Sequence, residues 1–593
     1  MADGARGGTT GARARCSSAA SPAPRATPGP RRRRSAYPRL VRPRPAEPAP
    51  AALPVSLLLA VLGGVATWAA FPGAASTAGW WPTAIVGVAL LSLATHGVRA
   101  RRGLLAGFLF GTAFMFPHLE WSGTYVGLLP WSALTVVCAL FYAVLGACLP
   151  RLQRARGGLA PLAVAAGWVA LEAARARVPF EGFPWGRLAF SQADAPTLGL
   201  AALGGSPAVT FGVALAGACL AGAVLALLRL PAPPGAARGV PRVRPAVVSL
   251  LVAVLVTAAG ALVPRPTGAE DGTTRIAAVQ GNVPQAGLEF NAERRAVLDN
   301  HAAATRALAE QVAAGTAPQP DLVLWPENSS DIDPYENADA RRVIESTATA
   351  IGVPVLVGAV LDGPGRYVSN TGLVVTPQEG LSGAREDDSR HYVKQRPAPF
   401  GEYMPHRSFF RRFSDKVDLV PRDFVHGDHV GLLRANGVRI GDVICFEVAF
   451  DDTVRDSVRA GAQFLVVQTN NATFGYSDEA VQQLAMSRLR AVESGRAVVQ
   501  ISTVGVSAII GPDGTAHDET ALFTRDVLQG DVALRSTETV ATRVGAVPEQ
   551  VLTGLALLLL LTARRGQRPD RRGGRGGGRR TVPSAPAGDP VPA

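Results

Sequence analysis

The stretch VGLLPWSALTVVCALFYAVLGACL, residues 126–149, decides the fold class, because it carries no charged side chain over its whole length. A helix of about 20 apolar residues spans the hydrocarbon core of a bilayer. Further uncharged apolar runs lie on both sides of this stretch, at residues 53–71, 80–95, 104–116, 158–171, 209–228 and 246–263. The sequence therefore predicts a multi-pass α-helical membrane domain of seven helices over residues 53–264.

Arginine dominates the charge of the chain, whose formal net charge is +13. The densest clusters, within residues 6–44 and 564–580, both lie beside apolar runs. Nucleic-acid binding is one interpretation of such charge, and cytoplasmic charge that fixes membrane topology is the other. We favour the second, so we expect no nucleic-acid partner.

Every second connection between the apolar runs is basic. The arginines concerned are Arg99, Arg101 and Arg102, then Arg151, Arg154 and Arg156, then Arg229, Arg238, Arg242 and Arg244. Cytoplasmic loops of membrane proteins carry an excess of Lys and Arg. The pattern places the amino terminus in the cytoplasm and everything after residue 263 outside it, until an eighth span at 544–563 crosses back.

The two ends of the chain, residues 1–52 and 564–593, are rich in Arg, Pro, Ala and Gly and show no hydrophobic periodicity. Such segments cannot bury enough apolar surface to offset the entropy lost on ordering. We predict a disordered basic cytoplasmic arm and a disordered basic cytoplasmic tail. No secretory cleavage site stands out before the first run, which we interpret as a retained anchor.

Residues 273–540 have the composition of a soluble domain in which short β-branched runs alternate with polar helical stretches. This alternation is typical of one α/β domain. Examples of predicted strands lie at 275–279, 322–325, 353–357, 443–445, 464–468 and 497–502, and predicted helices lie at 292–314, 338–350, 451–460 and 479–494.

Three polar residues lie beside predicted strands: Glu327, Lys394 and Cys445. A capping Glu, a solvated Lys and a buried core Cys are the ordinary interpretations of each residue alone. Yet Cys445 is the only one of five cysteines outside the apolar runs and the basic arm, and only two of the 59 Lys and Arg side chains are Lys. A thiol beside a carboxylate and an ammonium suits nucleophilic catalysis. The eight His are scattered, and the sequence contains neither a CxxC nor an HExxH motif. We therefore predict no metal site and no cofactor.

A set of motifs in order along residues 53–561 resembles a known family. The motifs are Phe183-Pro-Trp185, Gln280-Gly-Asn282, Trp325-Pro-Glu327, Lys394 with Glu402 eight residues later, Ile444-Cys-Phe-Glu447, Thr469 to Gly475 and Met486 to Glu493. They resemble the apolipoprotein N-acyltransferases, membrane members of the nitrilase superfamily that act last in bacterial lipoprotein maturation. The resemblance implies an α-β-β-α sandwich for the soluble domain.

The resemblance also implies a reaction and a set of site residues. The reaction is transfer of an acyl chain from a membrane phospholipid, through a Cys445 thioester, to the α-amine of a diacylglyceryl-modified lipoprotein cysteine. Glu327 is expected to be the general base, Lys394 the oxyanion stabiliser and Cys445 the nucleophile. Glu402, Glu447 and the backbone N–H of Phe446 are expected to support them. The expected location is the bacterial cell membrane, with the catalytic domain on its extracytoplasmic side.

Two segments are candidates for contact with lipid. The first, at 172–194, combines Trp185 and Arg187 on the side where basic residues are unexpected; snorkelling at the membrane interface is the alternative. The second, at 403–425, holds Phe409, Phe410 and Phe413 among arginines. We predict a lid that dips into the outer leaflet, against the alternative of a packed surface loop.

Two other functions remain open from the sequence. A membrane-tethered amidase or nitrilase acting on a soluble molecule would use the same triad, but it leaves the many apolar runs unexplained. A non-catalytic membrane scaffold would be expected to lack a triad residue, and the sequence retains Glu327, Lys394 and Cys445.

Overall fold

The described part of the chain in this computed structural model comprises residues 50–73, 75–155, 158–228, 243–283 and 294–563. Nearly all of the predicted arm, residues 1–49, and the whole predicted tail, residues 564–593, lie outside it.

Apolar helices fill the amino-terminal half. They are α1 (Leu53–Trp68), α2 (Pro82–Ala94), α3 (Ala100–His118), α4 (Leu128–Leu152), α5 (Ala160–Arg175), α6 (Ala201–Leu228) and α7 (Val243–Ala259). Among the described residues, three helical segments are long and apolar enough to cross a membrane: Leu128–Leu152, Pro196–Leu228 and Val243–Leu262. Shorter apolar helices occur at Leu53–Trp68, Pro82–Ala94 and Val547–Thr562.

Glycines bring α3 and α4 into close contact. A Cβ on Gly107 would lie 2.1 Å from the carbonyl oxygen of Tyr142, and one on Gly146 would lie 2.2 Å from that of Gly103. Any larger residue would force the two backbones apart. Helices in lipid commonly pack at small residues of this kind. Lipid tails are as apolar as the side chains, so close backbone contact, and not the hydrophobic effect, holds such helices together.

The carboxy-terminal half is built on two sheets. Their strands are β1 (Thr273–Gln280), β2 (Leu322–Leu324), β3 (Val355–Asp362), β4 (Val368–Val375), β5 (His391–Val393), β6 (Leu432–Ala435), β7 (Val438–Ile444), β8 (Phe464–Thr469), β9 (Val498–Ser502), β10 (Ala508–Ile510), β11 (Ala516–His517) and β12 (Asp526–Ala533). Within the described ranges each sheet has six strands, in the orders β12-β1-β2-β3-β4-β5 and β11-β10-β9-β8-β7-β6. Parallel triplets, β1-β2-β3 and β7-β8-β9, lie inside each sheet.

The remaining helices complete the soluble half. They are α8 (Arg294–Ala313), α9 (Ala338–Ile351), α10 (Gly380–Glu386), α11 (Arg407–Phe410), α12 (Asp451–Arg459), α13 (Glu479–Ser494), α14 (Val540–Val544) and α15 (Val547–Thr562). Apolar side chains such as Ile276 and Val466 fill the space between the two sheets. α8 and α9 pack on the outer face of the first sheet. α12 and α13 join a core that continues into the amino-terminal helices. The predicted α-β-β-α sandwich with apolar membrane-type helices is confirmed.

A break in α6 marks where the helical half meets the sandwich. Gly204 and Gly205 depart from helical geometry, and Gly205 has φ of +67°. A Cβ there would lie 2.4 Å from Oε1 of Glu493 on α13. Glycine is required at this position both for its backbone angle and for the close approach.

Candidate active site

Cys445 lies where β7 ends and a tight turn, Cys445–Ala449, begins. Its φ of +52° lies in the left-handed region, which residues other than glycine rarely adopt. Such strain is typical of a reactive group presented at a sharp strand-to-turn junction. The sulfur has Thr469 Oγ1 at 3.5 Å and Gln483 Nε2 at 3.8 Å.

Glu327 follows β2 after Trp325 and Pro326, and it is 5% exposed. Its Oε1 accepts hydrogen bonds from Lys394 Nζ at 3.0 Å and from Asn370 Nδ2 at 2.7 Å. Its Oε2 accepts from the backbone N–H of Asn470 at 3.1 Å. The carboxylate is thus fixed by donors from three separate segments.

Lys394 directly follows β5 and is 1% exposed. Its ammonium group lies between two carboxylates, 3.0 Å from Glu327 Oε1 and 2.8 Å from Glu402 Oε2. An ammonium has three N–H donors. Two of them point at these carboxylates. Within the described part of the chain, the third N–H is left to donate to a substrate oxygen.

Glu402 and Glu447 hold the segments around the three triad candidates. Glu402 also accepts from Asn370 Nδ2 at 2.8 Å and from the backbone N–H of Ala398 at 2.6 Å. Glu447 bridges two segments: its Oε2 accepts from the N–H of Ile444, just before the nucleophile candidate, at 2.8 Å. Its Oε1 accepts from the Tyr392 hydroxyl at 2.8 Å and from the N–H groups of Gln395 at 2.7 Å and Arg396 at 3.1 Å.

The electrostatics favour a neutral thiol at rest. Burial raises the pKa of Cys445 well above its usual range, the Glu327 carboxylate raises it further, and the Lys394 ammonium opposes both. Burial would lower the pKa of Lys394, but Glu327 and Glu402 outweigh it and hold that pKa well above its usual range. Lys394 therefore stays charged, and the thiol needs a local base to give up its proton.

Two family models match the two halves of the chain: the apolipoprotein N-acyltransferase N-terminal domain over residues 63–219 and carbon-nitrogen hydrolase over residues 275–542. The apolipoprotein N-acyltransferase of Mycolicibacterium smegmatis is 42% identical over 532 residues, which cover 86% of each chain. This chain belongs to the apolipoprotein N-acyltransferase family.

A second relative and a solved structure are also similar to this chain. The apolipoprotein N-acyltransferase of Azotobacter vinelandii is 33% identical over 516 residues, covering 82% of this chain and 92% of that one. A solved amidase of the nitrilase superfamily from Nesterenkonia AN1 is 18% identical, with a TM-score of 0.34, and covers 48% of this chain and 98% of the amidase. The two family models and the two apolipoprotein N-acyltransferase relatives confirm the predicted family resemblance.

Trp185 and Arg187, expected to face lipid, are instead buried in this family member, at 2% and 4% exposure. Trp185 Nε1 donates to Gln482 Oε1 at 2.7 Å, and the Trp185 ring stacks on Phe446 with centroids 6.5 Å apart. Arg187 pairs with Asp451. The prediction was wrong because Gln482 and Asp451, which pair with these two side chains, lie on the sandwich, far away in sequence.

The three phenylalanines of the predicted lid are not equivalent. Phe409 and Phe413 are 50% and 66% exposed. Phe410 is half-buried, stacks edge-on against Phe400 at 4.9 Å, and packs on a small apolar cluster that includes Met404. Phe410 therefore anchors the segment, whereas the other two present apolar surface outward.

Sequence reasoning missed the amides and hydroxyls around the three triad candidates. Asn370 lies on β4, a strand that we did not predict, and touches both Glu327 and Glu402. Thr469 and Gln483 face the sulfur from β8 and α13. Thr469 was part of a motif, but its register toward Cys445 follows only from the parallel pairing of β7 with β8.

Proposed function

We propose that this chain N-acylates apolipoproteins at an amino-terminal diacylglyceryl-cysteine, with a membrane phospholipid as the acyl donor. Membership of the apolipoprotein N-acyltransferase family supports the reaction class. The observation that carries the chemistry is the buried Lys394 ammonium, held between Glu327 and Glu402. Both substrates are lipids, which accords with a sandwich packed on apolar helices.

In the first half-reaction the Cys445 sulfur attacks the carbonyl carbon of a phospholipid ester while Glu327 takes the thiol proton. Negative charge builds on the carbonyl oxygen and is met by Lys394 and by the backbone N–H of Phe446. One such donor contributes about 3 kcal/mol to transition-state stabilisation. Glu327 then returns the proton to the departing glycerol oxygen, leaving a lysophospholipid and a Cys445 thioester.

In the second half-reaction the free α-amine of the lipoprotein attacks the thioester carbon. Glu327 removes a proton from the amine, and the collapsing intermediate breaks the carbon–sulfur bond. The proton passes from Glu327 to the sulfur, which regenerates the thiol. The products are an amide-linked acyl chain and the resting enzyme, so the cycle is ping-pong and needs no cofactor.

The proposed setting is the bacterial cell membrane. Residues 53–264 and 544–563 form the membrane part, and residues 273–540 form a catalytic domain on the extracytoplasmic side. The alternation of basic and neutral connections supports this orientation, because positive loops stay in the cytoplasm. The donor lipid would then come from the outer leaflet.

The test is intact-mass analysis of the purified enzyme after incubation with phospholipid vesicles. The expected result is one added acyl chain on the wild type, mapped to Cys445, and none on Cys445→Ala. Addition of a diacylated lipopeptide should discharge the chain into an N-acylated product. Release as free fatty acid without lipopeptide product would instead indicate a hydrolase, and no acyl-enzyme at all would overturn the proposal.

A further inference from the structure

Glu479 is a buried carboxyl group that the acyl-transfer steps do not use. It begins α13 and is 2% exposed. Its Oε2 accepts a hydrogen bond from Asn471 Nδ2 at 2.5 Å. Burial raises the pKa of Glu479 to about 8, with a further contribution from the Glu327 charge and an opposing one from the Asn471 hydrogen bond. At neutral pH the group is therefore mostly uncharged.

A chain of side-chain amides joins Glu479 to the sulfur. Asn471 Nδ2 lies 3.1 Å from Gln483 Oε1, and Gln483 Nε2 lies 3.8 Å from Cys445 Sγ. On its other side Asn471 Oδ1 accepts from the Ser502 hydroxyl at 2.5 Å. The side-chain amide of Asn471 therefore has one orientation in which it makes all three hydrogen bonds, to Glu479, Gln483 and Ser502.

The direction of the chain is set at its Glu479 end. Oε2 of Glu479 accepts from Asn471, and the proton of the neutral carboxyl group then sits on Oε1, so Asn471 turns its NH2 group toward Oε2 and toward Gln483. Gln483 then turns its carbonyl oxygen to Asn471 and its NH2 group to the sulfur. A thiolate gains from an N–H donor and is repelled by a carbonyl oxygen, so this orientation matters for reactivity.

We propose that Glu479 is a positioning residue for the nucleophile, acting through Asn471 and Gln483 to present an N–H group to the Cys445 sulfur. The inference rests on the role given to Cys445 in the proposed function. Glu479 itself contacts neither the substrate nor the reacting atoms. Thr469 Oγ1, 3.0 Å from Gln483 Oε1 and 3.5 Å from the sulfur, completes the set of groups that the network orients.

Two substitutions separate orientation from simple stability. Glu479→Gln keeps an acceptor oxygen for Asn471 but cannot ionise, whereas Glu479→Met keeps the length of the side chain and removes the acceptor. Ser487→Ala is the matched control, because Ser487 lies on the same helix and donates to Gln500 Oε1 at 2.7 Å with no hydrogen bond toward the sulfur. Thermal unfolding of all variants in the same detergent reports any loss of fold.

The first readout is the alkylation rate of Cys445 by iodoacetamide, followed by peptide mass, and the second is single-turnover acylation by phospholipid vesicles. Glu479→Met should slow both by about 10-fold or more, with an unchanged KM for phospholipid, while Glu479→Gln and Ser487→Ala stay within about 2-fold of wild type at pH 7. Equal rates for wild type and Glu479→Met would overturn the inference, and so would Glu479→Gln matching Glu479→Met.

The pH profile gives a signature that a purely structural role would not produce. The charged groups that act on the sulfur are Glu327, Lys394 and Glu479, and Glu327 also acts on Glu479. Above pH 8 ionised Glu479 adds negative charge near Cys445 and raises the pKa of that thiol. Alkylation of the wild type should therefore lag behind that of Glu479→Gln above pH 8, and superimposable profiles would count against the inference. A wild type that alkylates normally but forms no acyl-enzyme would instead contradict the proposed function alone.

Discussion

Arg187 and Asp451 form a largely buried ion pair, with Arg187 Nη1 2.6 Å from Asp451 Oδ2. Arg187 belongs to the connection between α5 and α6, and Asp451 begins α12, shortly after the turn that carries Cys445. Arg490 of α13 binds the other oxygen of Asp451 at 2.7 Å and donates to the carbonyl oxygens of Val448 and Ala449. The helical half is thereby tied to the turn that carries Cys445.

Asp451→Asn should destabilise the enzyme by about 3 kcal/mol, because it leaves two buried guanidinium groups facing a neutral amide. The two arginines hold the pKa of Asp451 well below its usual range, so the pair persists throughout the neutral range. Denaturant unfolding in detergent micelles measures the change. Asp456→Asn, a half-exposed carboxylate on the same helix, is the control and should change stability by less than about 0.5 kcal/mol.

Lys394→Arg should reduce acyl-enzyme formation by about 100-fold or more, although it keeps the charge. A planar guanidinium is larger than an ammonium and cannot occupy the fully buried position between Glu327 and Glu402 with a donor left for the oxyanion. Single-turnover acylation is the measurement. The other lysine provides the control: Lys416 is exposed, and Lys416→Arg should retain activity. Comparable losses in both variants would contradict the assigned role.

Glu327→Gln should separate proton transfer from thiol acidity. The variant has no base, so acylation by phospholipid at pH 7 should be lost. The Glu327 charge raises the pKa of the Cys445 thiol, so its removal lowers that pKa. Alkylation of Cys445 by iodoacetamide should accordingly rise at a lower pH in Glu327→Gln than in the wild type. A midpoint shifted to higher pH would show that the carboxylate does not oppose the thiolate.

Glu447→Gln should lower both stability and turnover. The carboxylate accepts four hydrogen bonds, from Tyr392, Gln395, Arg396 and Ile444. An amide nitrogen cannot accept, so at least one backbone N–H is left unsatisfied at a cost of about 1–3 kcal/mol. Tyr392→Phe removes one of these bonds without creating a mismatch and should cost less. The comparison is made by thermal unfolding and by kcat.

Phe409→Ser combined with Phe413→Ser should reduce turnover on bilayer phospholipid and spare a short soluble ester donor, since both rings are exposed and apolar. Phe410→Ser should act differently: its ring packs on Phe400, so the loss should fall on both donors through local unfolding. Equal losses on both donors for the double variant would rule out a lid that contacts lipid.

Part of the sandwich could be predicted from the sequence, because its buried strands are short runs of β-branched residues. The helix predicted at 479–494 matches α13, and the strand predicted at 322–325 overlaps β2 closely. The edge strands β5, β6 and β11 were missed, because they are only two to four residues long and partly exposed. Patterns of hydrophobic alternation carry little signal over so few residues.

Sequence alone determined the membrane-type helices, the α/β domain and the identity of the three triad candidates, since uncharged runs and chemically distinctive residues are properties of the chain. Only the tertiary structure decided what surrounds them. Gln482 and Asp451, which pair with Trp185 and Arg187, come from segments more than 250 residues away, and a hydrogen bond between residues so distant along the chain leaves no local pattern. Because these partners are buried, they interact through a medium that screens charge far less than water does. They can therefore shift the pKa values of the groups that they contact.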